Sequence, residues 1–183
     1  MRVVRLLESL GVRYVVGGSL ASSVHGVLRA SVDADIVAEL APEHVDRFCS
    51  SLKDDFYLDE SRVREAVRLA RSFNVIELKS MFKVDVFVAG GKTFEKSQLD
   101  RGVSQLVWKD PPASARIASP EDTVLAKLDW FRRGGEVSER QWSDVLGVIR
   151  VQGETLDSAY LRRMAASMSI ADLLERALKQ ARA

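Results

Sequence analysis

Apolar positions recur along this chain at two periods, and the change from one to the other divides it. Val3, Val4, Leu6, Leu7 and Leu10 stand at helical spacing before Gly11, which predicts a short amphipathic helix over 2–10. Tyr14-Val15-Val16 then predicts a first strand over 13–17. Over 33–39 the period is two, with Ala34, Ile36 and Ala38 on one face and Asp33, Asp35 and Val37 on the other. Pro42-Glu43 opens a helix to about 54 whose buried stripe is Val45, Phe48, Cys49 and Leu52. Phe56-Tyr57-Leu58 reads as a short strand, and Ser61 as the cap of a helix to about 71. Two strands follow, Phe73–Leu78 and Phe82–Val88, joined by a hairpin through Lys79-Ser80-Met81. In the second, Val84, Val86 and Val88 face one way and Lys83, Asp85 and Phe87 the other. A helix over 93–101, a strand over 103–108, a turn at Asp110-Pro111-Pro112 and a short edge strand at Ala115-Arg116-Ile117 complete the mixed part.

From Ser119 the pattern is wholly helical. Ser119 is a good cap, Pro120 suits the first helical position and Glu121-Asp122 complement the helix dipole. That helix ends at Gly134-Gly135, and three more are expected near 138–151, 156–168 and 170–181. The expectation is an α+β chain: an α/β domain over 1–118 and a C-terminal helical region over 119–183 packed against it.

Composition narrows the function classes. The 183 residues are 46% hydrophobic and 29% charged with a net charge of +1, which gives no bulk signal of a nucleic-acid binder. Cys49 is alone, so no internal disulfide or cysteine metal cage is expected. No apolar run reaches the length of a membrane span and the N-terminus lacks a signal-peptide core, so the expected location is cytoplasmic, away from membranes.

The chemistry concentrates in Gly17-Gly18-Ser19 and the acids that follow. Gly17 and Gly18 open backbone angles closed to other residues, and Ser19 stands where a helix begins, a place suited to phosphate. Asp33 and Asp35 share a strand face, about 7 Å apart. Asp85 stands in an otherwise apolar strand, where a carboxylate is costly unless it faces a site or a partner. If the two strands are neighbours, three carboxylates converge before the Gly18-Ser19 helix. Such hard oxygen donors point to magnesium rather than zinc. There is no Gly-x-x-x-x-Gly-Lys-Ser/Thr loop, and Ser22 and Ser23 have no histidine and acid arranged around them.

Gly-Gly-Ser, thirteen residues, Asp33-Ala34-Asp35 before an apolar run, and a lone Asp85 together resemble the polymerase-β-like nucleotidyltransferase superfamily. Arg29-Ala30-Ser31-Val32, Pro120-Glu121-Asp122, Lys127 and Asp144 further resemble the minimal nucleotidyltransferases and the nucleotidyltransferase toxins of abortive-infection pairs. That resemblance implies a short mixed sheet with flanking helices. It implies that Asp33, Asp35 and Asp85 hold two Mg²⁺ ions, with Mn²⁺ as a substitute. Gly18 and Ser19 would bind the triphosphate of an NTP. The activity implied is transfer of a nucleoside monophosphate to a hydroxyl of RNA or tRNA, protein or a small molecule, with pyrophosphate release. In the toxin branch an antitoxin protein is a further partner. The competing expectation is a nucleotide-binding or partner-regulated module on the same fold with little turnover.

Three residues carry two readings each. Lys127 is either a phosphate ligand or a lysine whose stem covers apolar surface while its amine reaches water. Asp144 is either part of the nucleotide site or a plain surface acid. Arg29 either braces Asp33 or Asp35, or touches a phosphate. His25 reads as structural and His44 as too isolated for a metal site. Trp108, Trp130 and Trp142 read as packing residues. The Arg132-Arg133 and Arg162-Arg163 pairs read as solvated helix faces.

Overall fold

In chain order the computed structural model contains α1 (Arg2–Ser9), β1 (Tyr14–Val16), α2 (Gly18–His25) and β2 (Asp33–Ala38). A one-turn 3-10 helix (Pro42–His44) leads into α3 (Val45–Leu52), followed by β3 (Phe56–Tyr57), α4 (Glu60–Leu69), β4 (Ser72–Glu77), β5 (Lys83–Val88) and α5 (Thr93–Arg101). Then come β6 (Val103–Lys109), β7 (Pro112–Ile117), α6 (Pro120–Arg133), α7 (Glu139–Gln152), α8 (Ser158–Ser167) and α9 (Ala171–Arg182). The structure describes residues 1–109 and 112–182, without the side chains of Trp108 and Lys109, so Asp110 and Pro111 of the turn expected at Asp110-Pro111-Pro112 lie outside the described residues, and Pro112 begins β7. The chain forms two compact units, one of residues 1–17 and 31–117, the other of 18–30 and 118–183. Helix α2 thus belongs with the C-terminal helices.

The first unit is built on a sheet of order β3-β4-β5-β2-β1-β7-β6. Its centre is mixed: β2 and β5 run parallel, as do β1 and β7, while β1 and β2 are antiparallel. The alternation in β2 and β5 sorts their side chains as the pattern predicts. Ala34, Ile36, Ala38, Val84, Val86 and Val88 are buried, and the intervening acids are half-buried. Phe48 of α3 is fully buried and meets Phe73 of β4 edge to face, ring centroids 5.8 Å apart.

Two local expectations change. Ala115–Ile117 is not an edge: it ends a six-residue strand paired with β6 on one side and with β1 on the other. A hairpin supplies one of those partners and a long-range parallel contact the other, and neither shows in a three-residue apolar pattern. Ser61 is not the cap of its helix either. Asp59 is, its carboxylate accepting from the backbone N–H of Ser61 at 2.9 Å and of Arg62 at 3.3 Å. A charged acceptor two residues upstream satisfies both orphan donors and complements the dipole.

The second unit is helical throughout. Leu125, Leu128, Leu161, Ile170, Leu173 and Leu174 form its buried centre. Ser119 caps α6 by accepting from Asp122 N–H at 3.1 Å, and its hydroxyl donates to the Asp122 carboxylate at 2.9 Å. Asp122 is fully buried and also accepts from the Tyr160 hydroxyl of α8, while Glu121 accepts from the backbone N–H of Asp157 at 3.0 Å. The two acids at the start of α6 therefore hold α8 in place. Gly26 follows α2 where a Cβ would stand 2.8 Å from Val148 N, so a side chain there has no room. Trp142 is buried, with Nε1 donating to Gln180 at 2.9 Å; Trp130, expected to pack, is 48% exposed.

Candidate active site

The first unit presents a face of carboxylates. Parallel pairing of β2 with β5 sets Asp35 opposite Asp85 and Asp33 opposite Lys83. All four lie on the polar side of their strands, because their neighbours in sequence fill the core. They form a rectangle about 7 Å along the strands and about 5 Å across them, with three acids and one lysine at its corners. The condition set by the sequence, that the two strands be neighbours, is met.

The side chains are individually held. Asp33 accepts from Ser31 Oγ at 2.7 Å. Lys83 donates to Asp85 at 2.7 Å, and that bond, with the further attraction of Asp33 and Asp35, raises the lysine above its ordinary pKa. On the other flank, β4 places Asn74 opposite Asp85. No local pattern marks Asn74; only the register of an adjacent antiparallel strand brings it there. The backbone N–H of Gly17, at the end of β1, donates to Asp35 O at 2.8 Å.

The donor set fits magnesium in kind: hard oxygens, on one face, on neighbouring strands. As the side chains stand, however, no three His, Cys, Asp or Glu among the described residues are gathered to hold a metal ion. Asp85 is turned to Lys83 and Asp33 to Ser31, so metal binding asks for side-chain rearrangement on a fixed backbone.

The second unit carries a separate network. Gly18 opens α2 at φ +56°, the left-handed region that glycine adopts without strain. Next to it, the Ser19 hydroxyl accepts from Arg29 Nη2 at 2.6 Å. Arg29 in turn grips Asp144 with two donors, Nε at 2.9 Å and Nη2 at 2.7 Å. Lys127 Nζ donates to the same carboxylate at 2.7 Å. The side chains of Lys127 and Asp144 are only 10% and 9% exposed. Lys127 is therefore no snorkelling lysine with its amine in water, and Asp144 is no plain surface acid. Burial alone would raise the Asp144 carboxyl; hydrogen bonds from Arg29 and Lys127 outweigh it and hold it below the ordinary carboxylate range.

Four residues spread over 19–144 thus form one chain of contacts in which two cations share one carboxylate. The cluster keeps a formal charge of +1 beside the first turn of α2, a setting suited to an anion. His25 stays structural: its Nε2 lies 2.7 Å from Ala118 O, and burial lowers its pKa. His44 is likewise spent locally, Nδ1 accepting from Ala41 N–H at 3.0 Å.

No family model matches the chain, and no curated protein matches it by sequence. Among solved structures it is similar to an antigenic nucleotidyltransferase-like protein from Paracoccidioides brasiliensis, at 15% identity and a TM-score of 0.53, over 97% of this chain and 89% of that one. It is also similar to the lincosamide antibiotic adenylyltransferase LnuA, solved with lincomycin bound, at 14% identity and a TM-score of 0.48, over 80% of this chain and 92% of that one. A third is the antibiotic-resistance factor ANT(2'')-Ia, at 13% identity and a TM-score of 0.46, over 90% of each chain. The first of these likenesses is one of fold: the chain has a nucleotidyltransferase-like fold, a mixed sheet with flanking helices followed by C-terminal helices.

Proposed function

We propose that the chain is a metal-dependent nucleotidyltransferase that moves a nucleoside monophosphate from an NTP to a hydroxyl acceptor and releases pyrophosphate. The observation that carries this reading is the register of β2 on β5, which sets Asp35 against Asp85 with Asp33 on the same face. The fold shared with a nucleotidyltransferase-like protein supports it.

Asp33, Asp35 and Asp85 would hold magnesium, which supplies charge neutralisation for the attacking and leaving oxygens of an in-line displacement. Lys127 and Arg29 are assigned to the phosphates. Asp144 holds both cations at fixed places, so less ordering is needed when an anion arrives. Gly18 and Ser19 offer the phosphates the first turn of α2, its N–H groups and one hydroxyl. Asp85, once released from Lys83, would accept the proton of the attacking hydroxyl. The acceptor classes are an RNA or tRNA end, a protein side chain and a small molecule, and an antitoxin protein is the partner if the chain belongs to the toxin branch.

Pyrophosphate release tests the reading, with each NTP offered alongside total RNA and lysate in the presence of Mg²⁺. The expected result is release that depends on the metal and is lost in Asp35→Asn. Tight NTP binding without release in any combination would favour a binding module and refute the transferase.

A further inference from the structure

Three carboxylates on one face of two neighbouring strands repel one another, and no sheet holds them together at no cost. In this chain the fourth corner of the same rectangle is a cation. Lys83 is paired in register with Asp33 and lies two residues from Asp85, with its ammonium 2.7 Å from the Asp85 carboxylate. Its side chain is 42% exposed and that of Asp85 is 22% exposed, so the ammonium is on the accessible side of the sheet rather than sealed beneath it. The four groups together carry a formal charge of −2 rather than −3. That contact turns Asp85 away from the other two acids, as the Ser31 hydroxyl holds Asp33.

We propose that Lys83 is the built-in counter-cation of this carboxylate face and competes with the divalent metal for Asp85, so that metal loading requires the lysine to give up that carboxylate. The inference rests on the metal-dependent reading of the site. It assigns Lys83 a positioning role, acting through Asp85. By weakening metal affinity it would make stable loading depend on a metal that arrives with the triphosphate. The ammonium set free would then stand beside the newly bound cation and be displaced toward solvent, which its long stem permits.

Binding of Mn²⁺ to the full chain without nucleotide tests this, followed by electron paramagnetic resonance and by calorimetry. Lys83→Met should bind Mn²⁺ about tenfold or more tightly than the natural chain, since one positive charge close to the ion is gone. Lys83→Gln keeps a donor for Asp85 without the charge and should move the same way, which guards against a folding defect in either variant alone. Lys83→Arg keeps the charge and should stay within about threefold of the natural chain. Without metal, Lys83→Met and Lys83→Gln should melt at lower temperature, and Mn²⁺ should raise their melting points more than that of the natural chain.

Mn²⁺ bound by the natural chain and lost in Asp35→Asn, but unchanged in Lys83→Met and Lys83→Gln, would overturn this inference alone. Weaker binding in both would also overturn it, because the lysine would then be holding the acids in place for the metal. No Mn²⁺ binding by the natural chain or any variant would overturn the metal site itself.

Discussion

Asp144 is the carboxylate shared by both cations of the helical unit's network, and Asp144→Asn removes its charge with almost no change of shape. The natural carboxylate takes three hydrogen bonds, two from Arg29 and one from Lys127. The amide keeps one acceptor and turns an NH₂ group toward donors that need none. Lys127, with a 10% exposed side chain, is left charged and without its carboxylate. Removing one partner of a buried ion pair costs about 3–5 kcal/mol. Arg29 is more exposed, at 24%, and can turn to water, so the low end, ~3 kcal/mol, is expected. For a chain of this length each kcal/mol shifts the melting point by about 2–4 °C, so the variant should melt about 6–12 °C lower.

The pH dependence has a definite sign. The folded-state carboxyl lies below its ordinary value, so its contribution is complete above the unfolded pKa of about 4 and is lost as the pH falls through the folded value. The gap between the natural chain and Asp144→Asn should therefore be constant from about pH 5 to 7 and close below about pH 4. Thermal and urea unfolding followed by far-UV circular dichroism measure it. A variant as stable as the natural chain at pH 7, or a gap that widens in acid, would refute the network as described.

Other substitutions test the frame around the two polar clusters. Tyr160→Phe removes a donor from the fully buried Asp122 and should cost about 1–3 kcal/mol in urea unfolding, with the same far-UV spectrum. Gly26→Ala drives a Cβ to within 2.8 Å of Val148 N and 3.0 Å of Gly147 C, both backbone atoms with little freedom to yield. It should cost about 1–3 kcal/mol by overpacking, and a neutral result would mean that α2 and α7 lie farther apart than described.

What could be read from the sequence follows from the range of the interaction. The faces of β2 and β5 follow from local alternation, because a one-residue slip would bury the acids and expose the valines. The glycine-serine turn and the Ser119 cap are local as well. Register is not: that Asp35 meets Asp85 depends on a crossover of some fifty residues. The place of β7 inside the sheet likewise needs β1, a hundred residues earlier. Arg29 and Asp144 are 115 residues apart, and no pattern near either announces the other. Lys127 shows the cost of judging by type. A lysine within an apolar helical stretch suits a snorkelling stem and a phosphate ligand equally, and only the buried carboxylate across from it removes the first of these. Lys83 was visible as a member of the polar face. Its position as the fourth corner became visible only with the strand pairing.

The most direct measurement of the central claim follows where the label of an NTP goes. Purified chain is incubated with Mg²⁺, total RNA and lysate, using NTP labelled at the α-phosphate in one arm and at the γ-phosphate in the other. A macromolecule or small-molecule acceptor should gain the α label and not the γ label, and Asp35→Asn should lower the transfer ~100-fold or more. Transfer of the γ label would mean phosphoryl rather than nucleotidyl transfer. Transfer of the α label at an unchanged rate in Asp35→Asn would contradict the carboxylate face as the seat of the chemistry.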